Sequence, residues 1–223
     1  MIRWIRGTVL LLAAAAQAAA VGGSAAAADS ATADVSATSG GAHPRVTVHF
    51  IPGSPALGQA ARDYEAIWDE YGERIVHALE HRTCLPFPEA AVSAVVDDDI
   101  SNSGGPEHAM QLRATYPRDL KEATLVHELG HRHLWQLVKR LDALDGHETL
   151  DLVLDLVWAD VWGQRFAKDS VARESRWDGG YDYRAAWSRA RSLSAKERAR
   201  LWNELLALNG FPPACKGIAD KVG

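Results

Sequence analysis

Two cysteines in 223 residues, Cys84 and Cys215, are too few for a disulfide-dense scaffold. Neither lies near the chain's paired histidines, which argues against a zinc finger built from cysteine. Positive charge is not in excess either: 24 Lys and Arg stand against 29 Asp and Glu, a net −5. That balance argues against nucleic acid or an anionic membrane surface as partner. No internal repeat is visible, and beyond the first stretch no run is apolar enough to span a bilayer. What is present, 47% hydrophobic content, suffices for one well-cored domain or one domain with two lobes.

The first stretch has a basic head (Arg3, Arg6), an apolar run from Thr8 and Ala-x-Ala sites, and reads as a secretory signal over 1–28. Cleavage fits after Ala20 or Ala28. The competing reading, a membrane anchor, is disfavoured because the strongly apolar part falls short of the roughly 20 residues that span a bilayer. Loss of Arg3 and Arg6 moves the net charge to −7. Residues 29–44 are Ala, Ser, Thr, Asp and Gly without apolar period, a disordered leader. The expected destination is export, periplasmic or secreted, with no membrane contact beyond the signal segment. There the economical reading of Cys84 and Cys215 is one disulfide, which closes a loop long enough to contribute about 4–5 kcal/mol in the chain-entropy model. Two separate buried thiols are the alternative.

The domain is expected over 45–222, with sheet and active-site helix in 45–141 and helices in 142–222. Alternating β-branched residues predict strands over 45–51 and 90–96, and a third over 108–116 before Pro117. Between the first two, Ala60, Tyr64, Ile67, Trp68, Tyr71, Ile75, Val76 and Leu79 give a helix over 57–81, which Gly72 weakens or bends. A helix over 119–141 follows, and Asp145-Gly146 separates it from another over 147–162. Beyond Gly163 everything reads helical: an amphipathic segment to 177, a turn at Asp178-Gly179-Gly180, a helix from 182, and a last one opened by the capping box Ser194/Glu197 and stopped at Asn209-Gly210. The fold class is α+β, a small sheet lobe with long helices followed by an all-helical part.

The helix over 119–141 contains His127-Glu128-Leu129-Gly130-His131, an H-E-x-x-H pattern. Residues four apart on a helix lie about 40° from each other, so His127 and His131 share a face, while Glu128 is rotated by about 100°. Two neutral imidazoles can hold zinc, and the carboxylate beside them can take a proton from an activated water and pass it to a leaving amine. An ordinary amphipathic helix can carry the same pattern by chance. Gly130, costly inside a helix, asks for close approach of a neighbour. His133 lies about 200° round from His131 and reads as a surface or core histidine. In the next helix Glu148, Asp151 and Asp155 form an acidic ridge.

On the motif, the strand before it and the carboxylate-rich helix after it, the chain resembles the zincin class of zinc metallopeptidases, and more narrowly the gluzincin group to which thermolysin belongs. The resemblance implies a zincin-like sheet lobe, His127 and His131 as zinc ligands, Glu128 as general base, and a carboxylate ligand from the following helix. Asp155 is favoured for that ligand over Asp151; both substitute aspartate for the group's glutamate. A second alignment makes Asp160 the residue that orients a ligand histidine, but puts Leu156 at the metal. His147, at a helix start, is a further alternative as ligand. Tyr181 and Tyr183 could donate to an oxyanion, or serve the core or rim. The implied activity is hydrolysis of peptide bonds in a peptide or protein substrate, which could add as a strand beside 108–116. The rival is a non-catalytic exported zinc-binding or interaction module on the same scaffold.

Overall fold

The computed structural model describes residues 46–105 and 107–219, so the signal (1–28) and leader (29–44) expectations fall outside it. The architecture is α+β. A three-stranded sheet is built from β1 (Thr47–Pro52), β2 (Ala91–Asp97) and β3 (Met110–Arg113), in the order β1-β2-β3 with both pairings parallel. Alternation sorts its faces, since Val48, Val92, Ala94, Val96, Met110 and Leu112 point into the core. The crossover from β1 to β2 is α1 (Gly58–Thr83), which buries Tyr64, Ile67, Ile75 and Leu79. It runs unbroken through Gly72. A Cβ there would meet the Trp68 indole at 2.8 Å, so the glycine leaves room for that ring. Cys84, at φ 57°, ends the helix in the left-handed region.

α2 (Arg118–Leu134) carries the H-E-x-x-H motif and packs on β3, α1 and the helices that follow. It is shorter than its sequence pattern suggests. The Asn209 side chain accepts from the Lys139 backbone N–H (2.8 Å) and donates to the Lys139 carbonyl (2.9 Å), and this clamp takes the place of further helical turns. The helix expected over 147–162 is two, α3 (Gly146–Asp151) and α4 (Leu154–Trp162). All five residues from Leu150 to Leu154 are buried. No single helical stripe covers five consecutive positions, so the helix resets its phase between them.

The chain continues all-helical through α5 (Gln164–Glu174), α6 (Tyr183–Ser192) and α7 (Ala195–Leu208), the last with both hydrogen bonds of the Ser194/Glu197 capping box. One apolar core joins the sheet to these helices, with Trp158, Trp187 and Trp202 among its largest side chains. Cys84 and Cys215 form the expected disulfide, Cα atoms 5.5 Å apart. Disulfides persist in oxidising compartments, so the bond points to a place outside the reducing cytoplasm. No helix among the described residues is long and apolar enough to cross a membrane.

Candidate metal centre

The motif helix presents His127, Glu128 and His131 as helical geometry requires, His127 and Glu128 being almost wholly buried. What completes the cluster is His147, in the first turn of α3. Ligand atoms of His127, His131 and His147 all lie within 4.8 Å of one another. Nε2 of His127 and Nε2 of His131 are 3.1 Å apart, close to the roughly 3.3 Å between two nitrogens on a tetrahedral zinc.

Local chemistry explains why His147 arrives there. Asp145 and Glu148 cap α3 reciprocally, fixing where its first turn begins. Leu150, one turn on, then packs over Gly130. A Cβ at Gly130 would lie 2.7 Å from Leu150 Cδ1, so the glycine leaves room for that side chain to seat on α2 as it does. The glycine between the motif's residues thus takes part in the α2–α3 packing that sets His147 near the other two imidazoles. Tyr181 donates to both oxygens of Asp145 (2.9 and 2.7 Å), and its ring lies 4.1 Å from that of His147. The Tyr183 hydroxyl is 3.1 Å from His147 Nε2.

Glu174, in the last turn of α5, accepts from Nδ1 of His127 at 3.0 Å. Burial alone would push His127 down, but the Glu174 charge and hydrogen bond outweigh it and lift the imidazole to about 9. The protonated ring can then donate from Nδ1 to Glu174 and from Nε2 to His131. Burial and the neighbouring His127 hold His131 well below the usual histidine range and His147 at about 4, so both are neutral bases at pH 7. Burial raises Glu128 to about 7, against the pull of His127 and with help from Glu174. A carboxylate in that range is suited to exchange protons near neutral pH.

The two aspartates expected from the resemblance stand elsewhere. Asp155 is held by Arg198, at 2.8 Å from Nη1 and 3.3 Å from Nη2. Asp151 is fully buried on α3, and neither of its oxygens has a hydrogen-bond partner among the described residues. Burial, then the charge of Glu174, pushes it up to about 8. Neither belongs to the cluster of mutually close ligand atoms. Asp160 pairs with Arg82 through two contacts of 2.6 Å. His133 is a core residue whose Nε2 lies 2.7 Å from Thr83 Oγ1.

Glu174 is the site residue that motif spacing did not disclose. A signal existed, however: Ala167, Ser170 and Val171 are the buried stripe of α5, and Glu174 continues their i, i+3, i+4, i+7 spacing. A carboxylate on a buried stripe needs a partner.

The outer edge of β3, where strand addition by a substrate was expected, is already covered. Asn102 exchanges backbone hydrogen bonds with Gln111 (3.0 and 2.8 Å), and Ser101 Oγ accepts from the Arg113 N–H. Arg132, next to His131, pins this loop through the carbonyls of Ser103 and His108. A groove of about 1070 Å³ between α1 and β1 and a cavity of about 480 Å³ beside α6 are lined by other residues than His127, His131 and His147. No protein-family model, curated protein or solved structure matches the chain.

Proposed function

We propose that the protein is an exported zinc-dependent hydrolase of peptide or related amide bonds, with His127, His131 and His147 as metal ligands and Glu128 as general base. The observation that carries the reading is the convergence of three imidazoles, from two separate helices, beside a buried carboxylate on the motif helix. The donor set suits zinc: three nitrogen ligands leave one tetrahedral position open, as in catalytic sites. When bound, zinc acidifies a water and polarises a carbonyl. Glu128, placed one residue after His127 and raised to about 7, takes a proton and returns it to the leaving amine. Glu174 holds His127 by its far nitrogen. The motif supports kinship with H-E-x-x-H zinc peptidases, and the third imidazole in place of a carboxylate sets this ligand set apart from the gluzincin pattern.

A second reading, a non-catalytic zinc-binding or interaction module, is favoured by one observation. Tyr181 and Tyr183 stand against His147, their rings 4.1 and 5.0 Å from the imidazole. Metal analysis and a peptide library decide between the two. The mature chain is expected to hold one zinc, lost in His131→Ala and His147→Ala but kept in Asp155→Asn. Peptide turnover lost in Glu128→Gln with zinc retained supports the hydrolase. Zinc without turnover of any peptide supports the module, and a chain that binds no metal overturns both.

A further inference from the structure

We infer that Glu174 and Trp187 are positioning residues of the metal centre, with the Trp187 indole holding the Glu174 carboxylate so that it fixes His127 by Nδ1 and leaves Nε2 to the metal. The inference rests on His127 being a ligand, as proposed above. Glu174 uses its two oxygens on two different donors: Oε1 faces His127 Nδ1 at 3.0 Å, and Oε2 accepts from Trp187 Nε1 at 3.0 Å. Trp187 is itself immobilised. It is fully buried, its ring lies 5.8 Å from that of Trp158, and Trp158 donates to the Ala123 carbonyl at 3.3 Å, one turn before His127 on α2.

Four helices thus close a loop of contacts around one carboxylate: α2 through His127 and Ala123, α4 through Trp158, α5 through Glu174 and α6 through Trp187. A ligand histidine is aimed by whatever its other nitrogen binds, and an anion there also makes the imidazole a better donor to the metal. The indole adds a constraint. With Oε2 committed to Trp187, Glu174 cannot rotate Oε1 away from His127 without leaving a buried N–H unpaired.

The chemistry of the substitution makes this testable, because both partners are donors. A carboxylate accepts from both, whereas the amide of Glu174→Gln offers one acceptor oxygen and one donor nitrogen, so one of the two N–H groups must lose its partner. Zinc affinity of the full mature chain is measured by competition with a chelating indicator. Cobalt(II) serves as spectroscopic probe for the hyperfine-shifted Nδ1–H of His127. Glu174→Gln is expected to bind zinc about 10–100-fold more weakly, and its Nδ1–H to exchange faster with solvent, while far-ultraviolet circular dichroism of the metal-free protein stays as in the wild type. Trp187→Phe, which removes only the outer donor, is expected to lose less. Glu174→Asp keeps both acceptors one methylene short and is expected to fall between Gln and wild type, which covers the case in which Glu174→Gln does not fold. Wild-type zinc affinity and Nδ1–H exchange in Glu174→Gln, or wild-type affinity in both Asp and Phe variants, overturn the inference while leaving the proposed function standing. A wild-type chain that binds neither metal overturns both.

Discussion

The two ends of α2's last turns carry buried histidines in opposite circumstances. His133 faces α1, where Thr83 Oγ1 donates to the Leu79 carbonyl and so accepts from His133 Nε2, the Thr83 carbonyl accepts from Trp202, and Arg82 next door binds Asp160 and the Gly217 carbonyl. The Cys84–Cys215 disulfide ties the same corner. Six residues earlier, His127 faces a different company: two further histidines, the buried carboxylate of Glu128, Glu174, and Asp151 with no hydrogen-bond partner among the described residues. Burial holds His133 near 3, a neutral ring with no role for its charge, whereas Glu174 lifts His127 to about 9. One corner gives its charged groups and all but one of these polar atoms a partner, His133 Nδ1 having none among the described residues, and it holds the fold. The other concentrates ionisable groups that oppose one another, which costs stability and is the mark of a site.

That contrast can be broken experimentally. The largest effect is expected at the histidine end, where Glu128→Gln should lower peptide turnover by at least about a hundredfold while leaving zinc content unchanged. Next, His147→Ala should weaken zinc binding by more than about a hundredfold, beyond what a supporting residue contributes; Asp155→Asn should not, since its partner is Arg198. At the structural end, Asp160→Asn removes one charge partner of the buried Arg82, which keeps the Gly217 carbonyl, and should cost about 1–2 kcal/mol in urea unfolding, with zinc affinity untouched.

A further test sharpens the comparison through pH. Folded Asp151 keeps its proton up to about 8, while an unfolded aspartate releases it near its ordinary value of 3.8. The folded state therefore binds more protons between those values, and the stability this confers is whole below about pH 4 and lost as pH rises through 8. Asp151→Asn escapes that loss. Thermal unfolding of the metal-free variant should accordingly exceed wild type at pH 8, with the gap closing toward pH 4; a gap that does not vary with pH would contradict the buried, unpaired carboxylate.

Much of the fold was legible because it is local. Alternation located all three strands, and helical spacing located α1, α2 and the C-terminal helices, with the Ser194/Glu197 box found as read. The misjudged boundaries share a cause. α2 stops early because Asn209, far along the chain, clamps Lys139, and α3 parts from α4 because five consecutive residues are buried on several sides. Neither contact leaves a trace in a short window of sequence. Two cysteines in an exported-looking chain were enough to anticipate their bond.

For the site, spacing within one helix determined that His127 and His131 share a face and that Glu128 stands beside them, since 3.6 residues per turn decides this before any tertiary contact forms. Which carboxylates and histidines join them was decided only by packing. Asp155 and Asp151 have suitable chemistry on a suitable helix, but the phase of α3 and α4 turns Asp155 to Arg198 and buries Asp151 apart from the cluster of ligand atoms. His147 and Glu174 come from 16 and 43 residues beyond His131. They reach it because Gly130 admits Leu150 and because Trp187 holds the carboxylate in place, contacts between surfaces that a linear pattern does not encode.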